Sequence, residues 1–263
     1  MVSTLKTIDV VILCGGLGKR LRPAIGESPK VMASIDTHPF LDFLLDYMDG
    51  QGFRRVILCT GYKAEMIEDY YTHRKTGLTI EYSREEEPLD TGGAIKHAQA
   101  LIRSNPFVVM NGDSFCPVHF DKLLNFHRTK KACASIVVAK ADDKGDFGSI
   151  ALDDSGKIAG FKEKVKGDGP AYVNAGVYCF ANDIFGRMPR KSRFSLEHDF
   201  FPSFVADEFY GFTVEEKFMD IGTPQRLAKA KQFFRNKKQR RPGACLSADR
   251  GRLDRFRRRP VER

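Results

Sequence analysis

No apolar stretch in the 263-residue chain approaches the roughly 18 to 20 residues needed to span a bilayer. The opening Met1-Val-Ser-Thr-Leu-Lys6 carries no hydrophobic signal core before the first strand-like segment. A cytoplasmic protein is expected. The six cysteines (Cys14, Cys59, Cys116, Cys133, Cys179 and Cys245) include no C-x-x-C pair, and most lie in apolar runs where a reduced thiol behaves as a small hydrophobe. Neither disulfides nor a zinc site is expected. The six histidines show no metal-ligand spacing; His97 and His127 fall on helical patterns as ordinary residues. No internal repeat is present.

Strong basicity is absent from most of the chain. The net charge is +9, yet residues 1–235 hold 32 Lys or Arg against 31 Asp or Glu, whereas residues 236–263 hold 11 against 3. That final segment contains Arg257-Arg-Arg259, two prolines and no apolar periodicity, so it lacks the means to bury itself and is expected to be a disordered basic tail. With the body near neutral, a nucleic-acid partner is not expected. The 42% hydrophobic content is that of an ordinary globular chain, and residues 1–235 read as one domain.

What is present is an alternation of short apolar runs with helical patterns. Strands are expected at 8–14, 54–60, 78–83 and 106–111, with helices at 39–50, 63–71, 92–103 and 120–130. This order points to βαβ units, an α/β class and a mainly parallel central sheet flanked by helices. Phe40, Phe43, Leu44 and Tyr47 fall on one helical face. The second half reads as a mixed sheet, with strands at 133–139, 148–152, 158–163 and 172–180, closed by helices at 195–205 and 224–234.

The first strand runs into Leu13-Cys-Gly-Gly-Leu-Gly-Lys-Arg-Leu-Arg-Pro23, followed by Pro29-Lys30. Gly15, Gly16 and Gly18 remove side chains where backbone amides would approach a polyanion, and glycine adopts φ > 0 without steric penalty. Arg20, Arg22 and Lys30 add positive charge: a guanidinium grips phosphate oxygens in a fork, while a lysine is a mobile point charge. The spacing is neither the P-loop G-x-x-x-x-G-K-[ST] nor the dinucleotide G-x-G-x-x-G.

The string G-G-x-G-x-R-L…P-K resembles the signature of the sugar-1-phosphate nucleotidyltransferases, or NDP-sugar pyrophosphorylases. Further family-like segments stand in order at Glu87–Ala94, Asn111-Gly-Asp113, Phe161-Lys-Glu-Lys164, Val173-Asn-Ala-Gly176 and Phe218–Pro224. Together they cover roughly residues 8 to 235. Within the family, the opening loop and Glu-Pro-Leu-x-Thr-Gly-Gly-Ala-Ile are most similar to the D-glycero-D-manno-heptose 1-phosphate guanylyltransferases.

The resemblance implies a Rossmann-like nucleotidyltransferase fold and transfer of a nucleoside monophosphate from an NTP, GTP by this reading, to a sugar 1-phosphate. The partners it implies are those two substrates, with no membrane; homo-oligomerisation stays open. Such a transfer needs no protein nucleophile, only positioning and charge neutralisation. Mg²⁺ is the expected cofactor, with Asp113 and Asp220 as its ligands. Taken alone, Asp113 is equally a turn residue and Asp220 part of a helix-capping region. Arg20 is expected on the leaving phosphates and Lys30 on the α-phosphate, with Leu13, Gly15, Gly16, Gly18 and Gly92 around the nucleotide. Glu85 is expected to read the base, as an acceptor from guanine N–H groups. Thr91, Gly92 and Gly93 open a helix whose N-terminus can face a phosphate or the base.

On the sugar side the resemblance implies Glu163, Lys164 and Asn174. Asp90 stands where guanylyltransferase relatives carry glycine, and Val165 where proline is usual. UTP or dTTP with a hexose or amino-sugar 1-phosphate is therefore the rival reading, and a catalytically inactive regulatory relative is a third.

Overall fold

The computed structural model describes residues 5–141, 149–162, 171–205 and 208–240. In chain order the first half contains β1 (Asp9–Leu13), α1 (Arg22–Ile25), β2 (Ser34–Ile35), β3 (His38–Pro39), α2 (Phe40–Gln51), β4 (Arg55–Thr60), α3 (Ala64–Thr72), β5 (Thr79–Arg84), α4 (Asp90–His97), β6 (Phe107–Asn111), β7 (Ser114–Phe115) and α5 (Phe120–Thr129). The second half adds β8 (Ala134–Ala141), β9 (Ser149–Leu152), β10 (Ile158–Lys162), β11 (Ala171–Phe180), α6 (Ile184–Arg187), a π-turn at Leu196–Phe200, α7 (Phe201–Phe204), β12 (Phe209–Val214), β13 (Met219–Asp220) and α8 (Pro224–Arg240).

A nine-stranded sheet runs β10-β9-β11-β6-β1-β4-β5, with β8 on β11 and β12 on β8. Strands β6, β1, β4 and β5 are mutually parallel, and β11 lies antiparallel to β6, β8 and β9. The expected parallel first half and mixed second half are both observed.

Alternation along the strands explains how both faces are covered. Val10 and Ile12 of β1 join one core with Leu44 and Leu45 of α2, Leu123 of α5 and Leu227 of α8. Val11 joins the other, with Ile95 of α4 and Phe201 of α7. A strand buried on both sides reads as an unbroken apolar run, and β1 does. Helix α2 ends as Gly52 turns left-handed (φ 100°), returning its N–H to the carbonyls of Met48 and Asp49.

Several boundaries differ from expectation. The helix expected through residue 103 stops at His97 and tightens into a 3₁₀ turn at Ala98–Leu101. The chain then presents the Arg103 and Ser104 N–H groups to the Asp9 carboxylate, at 2.6 and 2.9 Å. The last helix continues to Arg240, so residues 236–240 of the expected tail are helical. Strands β7, β12 and β13 were not anticipated. In β12, Gly211 sits mid-strand because a Cβ there would meet Leu152 Cδ2 at 2.5 Å. Among the described residues no helix is long and apolar enough to cross a membrane.

Asp9 ties the sheet's amino end together: besides those two amides it holds the Arg55 guanidinium at 2.7 Å, both side chains being largely buried. Replacing Asp9 with alanine leaves two amides without their acceptor and takes one of two carboxylates from Arg55, which keeps Glu81 at 2.7 Å and the Leu101 carbonyl at 2.6 Å, and is expected to destabilise the fold by about 2 kcal/mol. Urea unfolding measures this; a change below about 0.5 kcal/mol would show that Arg55 is satisfied without it.

Candidate active site

The carboxyl ends of β1, β4 and β6 meet at one edge of the sheet, and the candidate residues gather there. Strand β1 ends with Leu13, whose carbonyl accepts the Gly112 N–H at 2.9 Å, while the Cys14 N–H donates to the Cys59 carbonyl at 2.8 Å. Gly112 cannot be larger, since a Cβ would lie 2.5 Å from the Leu13 oxygen. The glycine loop then closes on itself: Leu21 and Arg22 both donate their N–H to the Gly18 carbonyl. Gly18 has φ +57°, and a Cβ there would sit 3.2 Å from Lys30 Cβ. Nothing lies within 4 Å of the space beside Gly16, which leaves its backbone open to approach.

Gly15 has a different neighbour. A Cβ on it would fall 1.9 Å from Glu85 Oε1, and one on Gly61 would fall 2.9 Å from Glu85 Cγ. Two glycines thus make the slot in which the Glu85 side chain lies, with Oε2 accepting the Leu89 N–H at 2.7 Å. Burial raises the Glu85 pKa above the ordinary carboxylate value, against the lowering effect of the Leu89 N–H. Glu85 lies at the loop, where the sequence placed it.

Asp113 and Asp220 are adjacent. Antiparallel pairing of β7 with β13 sets Asp220 opposite Ser114 and Met219 opposite Phe115, and the Ile221 N–H donates to the Asp113 carbonyl at 3.0 Å. Asp113 Oδ2 is ion-paired with Lys30 Nζ. Asp220 Oδ1 accepts the Gly222 N–H at 2.7 Å and pairs with Arg226 Nη1 at 3.3 Å. Arg20 reaches the same corner, its Nη2 lying 3.7 Å from the position a Gly222 Cβ would take. Loop, lysine, two arginines and two carboxylates therefore share one site.

Each carboxylate engages the protein through one oxygen and has a second to offer. Among the described residues no group of three or more His, Cys, Asp or Glu could cage a metal. Two carboxylates beside a phosphate cradle suit Mg²⁺, which keeps waters and takes its remaining ligands from substrate phosphates. The donor set fits that ion.

Across the site, Gly92, Asp90 and Asn174 are all engaged by the protein itself. The Gly92 and Gly93 N–H groups both donate to the Phe194 carbonyl, at 2.9 and 3.1 Å, and a Gly92 Cβ would collide with the Phe194 ring at 2.2 Å. The start of α4 is therefore stapled to the chain at 194, and Gly92 serves packing rather than offering its amide to a nucleotide. Asp90 is held at φ +58° and paired with Arg193 at 2.8 Å, a left-handed conformation that glycine adopts more easily. Asn174 Oδ1 accepts the Gly176 N–H at 2.8 Å and its Nδ2 donates to the Tyr178 hydroxyl at 2.9 Å, leaving one amide hydrogen for a ligand. Glu163 and Lys164 lie outside the described residues.

Arg226 and Glu197 were not anticipated. Arg226 is placed by helix capping: Thr223 Oγ1 accepts its N–H at 3.3 Å in the first turn of α8. Glu197 follows a Ser195 cap that accepts the N–H of Glu197 and His198, a signature readable in Ser195-Leu-Glu. Of the cysteines, Cys14, Cys59, Cys116, Cys133 and Cys179 are buried and unpaired with one another. Burial raises their thiol pKa values, that of Cys116 to about 12, so none serves as a thiolate.

This geometry agrees with the similarities to known proteins. The family model described as nucleotidyl transferase matches residues 9–237. The D-glycero-alpha-D-manno-heptose 1-phosphate guanylyltransferase of Aneurinibacillus thermoaerophilus is 41% identical over 226 residues, 86% of this chain and 97% of that protein. The mannose-1-phosphate guanylyltransferase of Mycobacterium tuberculosis is 34% identical over 226 residues, 84% of this chain and 63% of that longer protein. The crystal structure of HddC from Yersinia pseudotuberculosis complexed with GMP-PN shares the fold with a TM-score of 0.78 at 36% identity, covering 86% of this chain and 99% of that one. Matched from its first strand to its last helix, across the loop and both carboxylates that converge here, the chain belongs to the nucleotidyl transferase family.

Proposed function

We propose that the protein transfers GMP from GTP to the phosphate of a sugar 1-phosphate of the heptose or mannose type, releasing pyrophosphate. The observation that carries this reading is the meeting of the glycine loop, Lys30, Asp113 and Asp220 at one sheet edge. A phosphate oxygen of the sugar 1-phosphate attacks the α-phosphorus of GTP. The bond to the β-phosphate oxygen breaks, and pyrophosphate leaves with its electron pair. Two anions must be held in line, which makes positioning and charge the main requirements. Lys30 sits where negative charge builds on the α-phosphate, and Arg20, with Arg226 beside it, faces the leaving phosphates. Asp113 and Asp220 would hold Mg²⁺, which when bound neutralises phosphate charge.

Glu85 is the base reader in this account: its carboxylate accepts guanine N1–H and N2–H, which uracil and thymine cannot match as a pair. Asp90, the residue that favoured a uridylyl or thymidylyl reading, is engaged by Arg193. Retention of Arg20, Lys30, Asp113 and Asp220 in one site weighs against an inactive regulatory relative. The catalytic unit on this reading extends through α8 to Arg240, and the basic residues beyond it are dispensable for turnover.

Pyrophosphate release measured across four NTPs and a panel of sugar 1-phosphates tests the assignment: the largest kcat/KM is expected for GTP with a heptose or mannose-type phosphate, and a preference for UTP or dTTP with a hexose would overturn it. Lys30→Ala is expected to lower kcat at least about tenfold with the fold intact; near-native turnover would remove Lys30 from the chemistry. Because burial raises the Glu85 pKa, its charge is lost at a higher pH than for an ordinary carboxylate near 4.5. GTP affinity should therefore fall on acidification from neutral pH, starting above that value, with the limb abolished in Glu85→Gln. An unchanged acid limb in that variant would assign it to another group.

A further inference from the structure

Glu197 is a carboxylate with no assigned role that joins elements from both sides of the site. Its Oε2 accepts the Thr91 hydroxyl of α4 at 2.8 Å and the Ser195 hydroxyl at 2.9 Å. Its Oε1 faces the Tyr178 hydroxyl of β11 at 3.2 Å. Tyr178 is fully buried, and its oxygen in turn accepts from Asn174 Nδ2 at 2.9 Å. Asn174 is the residue read as facing the sugar.

The sense of this chain follows from what each group can do. An ionised carboxylate only accepts, so all three hydroxyls facing Glu197 must donate to it. A phenol has one hydrogen; once that hydrogen points at Glu197, its lone pairs are left to accept. The Asn174 amide is then held in one sense from both ends: the Tyr178 hydroxyl accepts from Nδ2, and the Gly176 N–H, which can only donate, requires Oδ1 at 2.8 Å; Asn111 also bonds the Tyr178 hydroxyl. Burial and the neighbouring Glu197 charge raise the Tyr178 pKa well above that of a free phenol, so the hydroxyl stays protonated and the sense of the chain holds.

We propose that Glu197 is a positioning residue for the acceptor sugar: through Tyr178 it braces the Asn174 amide, whose sense the Gly176 N–H also sets, and so holds the remaining N–H where it discriminates among sugar hydroxyl configurations. This rests on the reading of Asn174 as a sugar contact. Glu197 does not itself touch the reacting atoms. Of its contacts, the one to Tyr178 leads to Asn174, while those to Thr91 and Ser195 brace the start of α4 and the segment at 195, so removing the Tyr178 contact alone isolates the acceptor side.

Glu197→Gln tests this with little change of shape, because its amide can donate to Tyr178, turning the phenol hydrogen toward Asn174 Nδ2, a donor, and so breaking that bond. Tyr178→Phe cuts the relay while leaving the contacts of Glu197 with Thr91 and Ser195 in place. Steady-state kinetics with GTP and two sugar 1-phosphates differing at one hydroxyl, alongside thermal melting, separates the outcomes. Each variant is expected to raise the KM of the preferred sugar 1-phosphate about tenfold, with the GTP KM changed by less than about twofold. The kcat/KM ratio between the two sugars should fall toward one. Both KM values moving together with a lower melting temperature would make Glu197 merely structural and overturn the inference; so would unchanged sugar discrimination in Tyr178→Phe, including where Glu197→Gln does not fold. A wild-type protein forming no NDP-sugar from any pair would instead overturn the proposed function on which the inference rests.

Discussion

The active edge of this protein depends on a ladder two residues long. Pairing of Ser114-Phe115 with Met219-Asp220 closes a chain separation of more than a hundred residues and brings the segments that carry Asp113 and Asp220 together. Such a short ladder has little stability of its own, and aromatic packing holds it. Phe115, within the ladder, packs edge-on against Tyr47 of α2 at 5.1 Å and Phe234 of α8 at 5.4 Å. Phe234 in turn meets Phe40 and Phe43. The Tyr47 hydroxyl donates to the Val118 carbonyl and accepts the Val118 N–H, fixing the chain just after β7. Helices on one face of the sheet thereby clamp the strand pair that carries the chemistry.

Charge placement follows from the same edge. Carboxylates gathered at one edge are stabilised by cations beside them. Lys30 pairs with Asp113 and Arg226 with Asp220, so the acidic pair is matched before any substrate arrives. Those cations are also the groups a polyphosphate would engage. Backbone contacts impose comparable constraints: the glycines at 15, 61 and 112 let Glu85 and the Leu13 carbonyl approach where any Cβ would collide. Glycine here makes room for the protein itself as well as for a ligand.

Elements whose burial is local in sequence were legible. Strands β1, β4 and β6 fall within about a residue of the positions read from apolar runs, since a doubly buried parallel strand advertises itself by composition, and the half-exposed end strand β5 falls as close. That Asp113 and Asp220 come to one corner was expected from a family pattern alone, because the two-residue ladder that brings them there leaves no periodicity to read. Strand β12 was hidden by Gly211, which weakens the strand pattern while leaving room for the Leu152 side chain. The role of Gly92 was misjudged because its amide partner, the Phe194 carbonyl, lies about a hundred residues away. Glu197 carried a visible capping signal at Ser195, but its partners on α4 and β11 exist only in the folded chain.

The central claim is that Asp113 and Asp220 act as a single unit on the metal-bound nucleotide. A double-mutant cycle on the affinity for Mn²⁺ with a non-hydrolysable GTP analogue, comparing Asp113→Asn, Asp220→Asn and the pair, addresses it most directly. If the two carboxylates serve one centre, the double variant loses little more than either single one. Losses that simply add, or an affinity indifferent to one of the two, would contradict it.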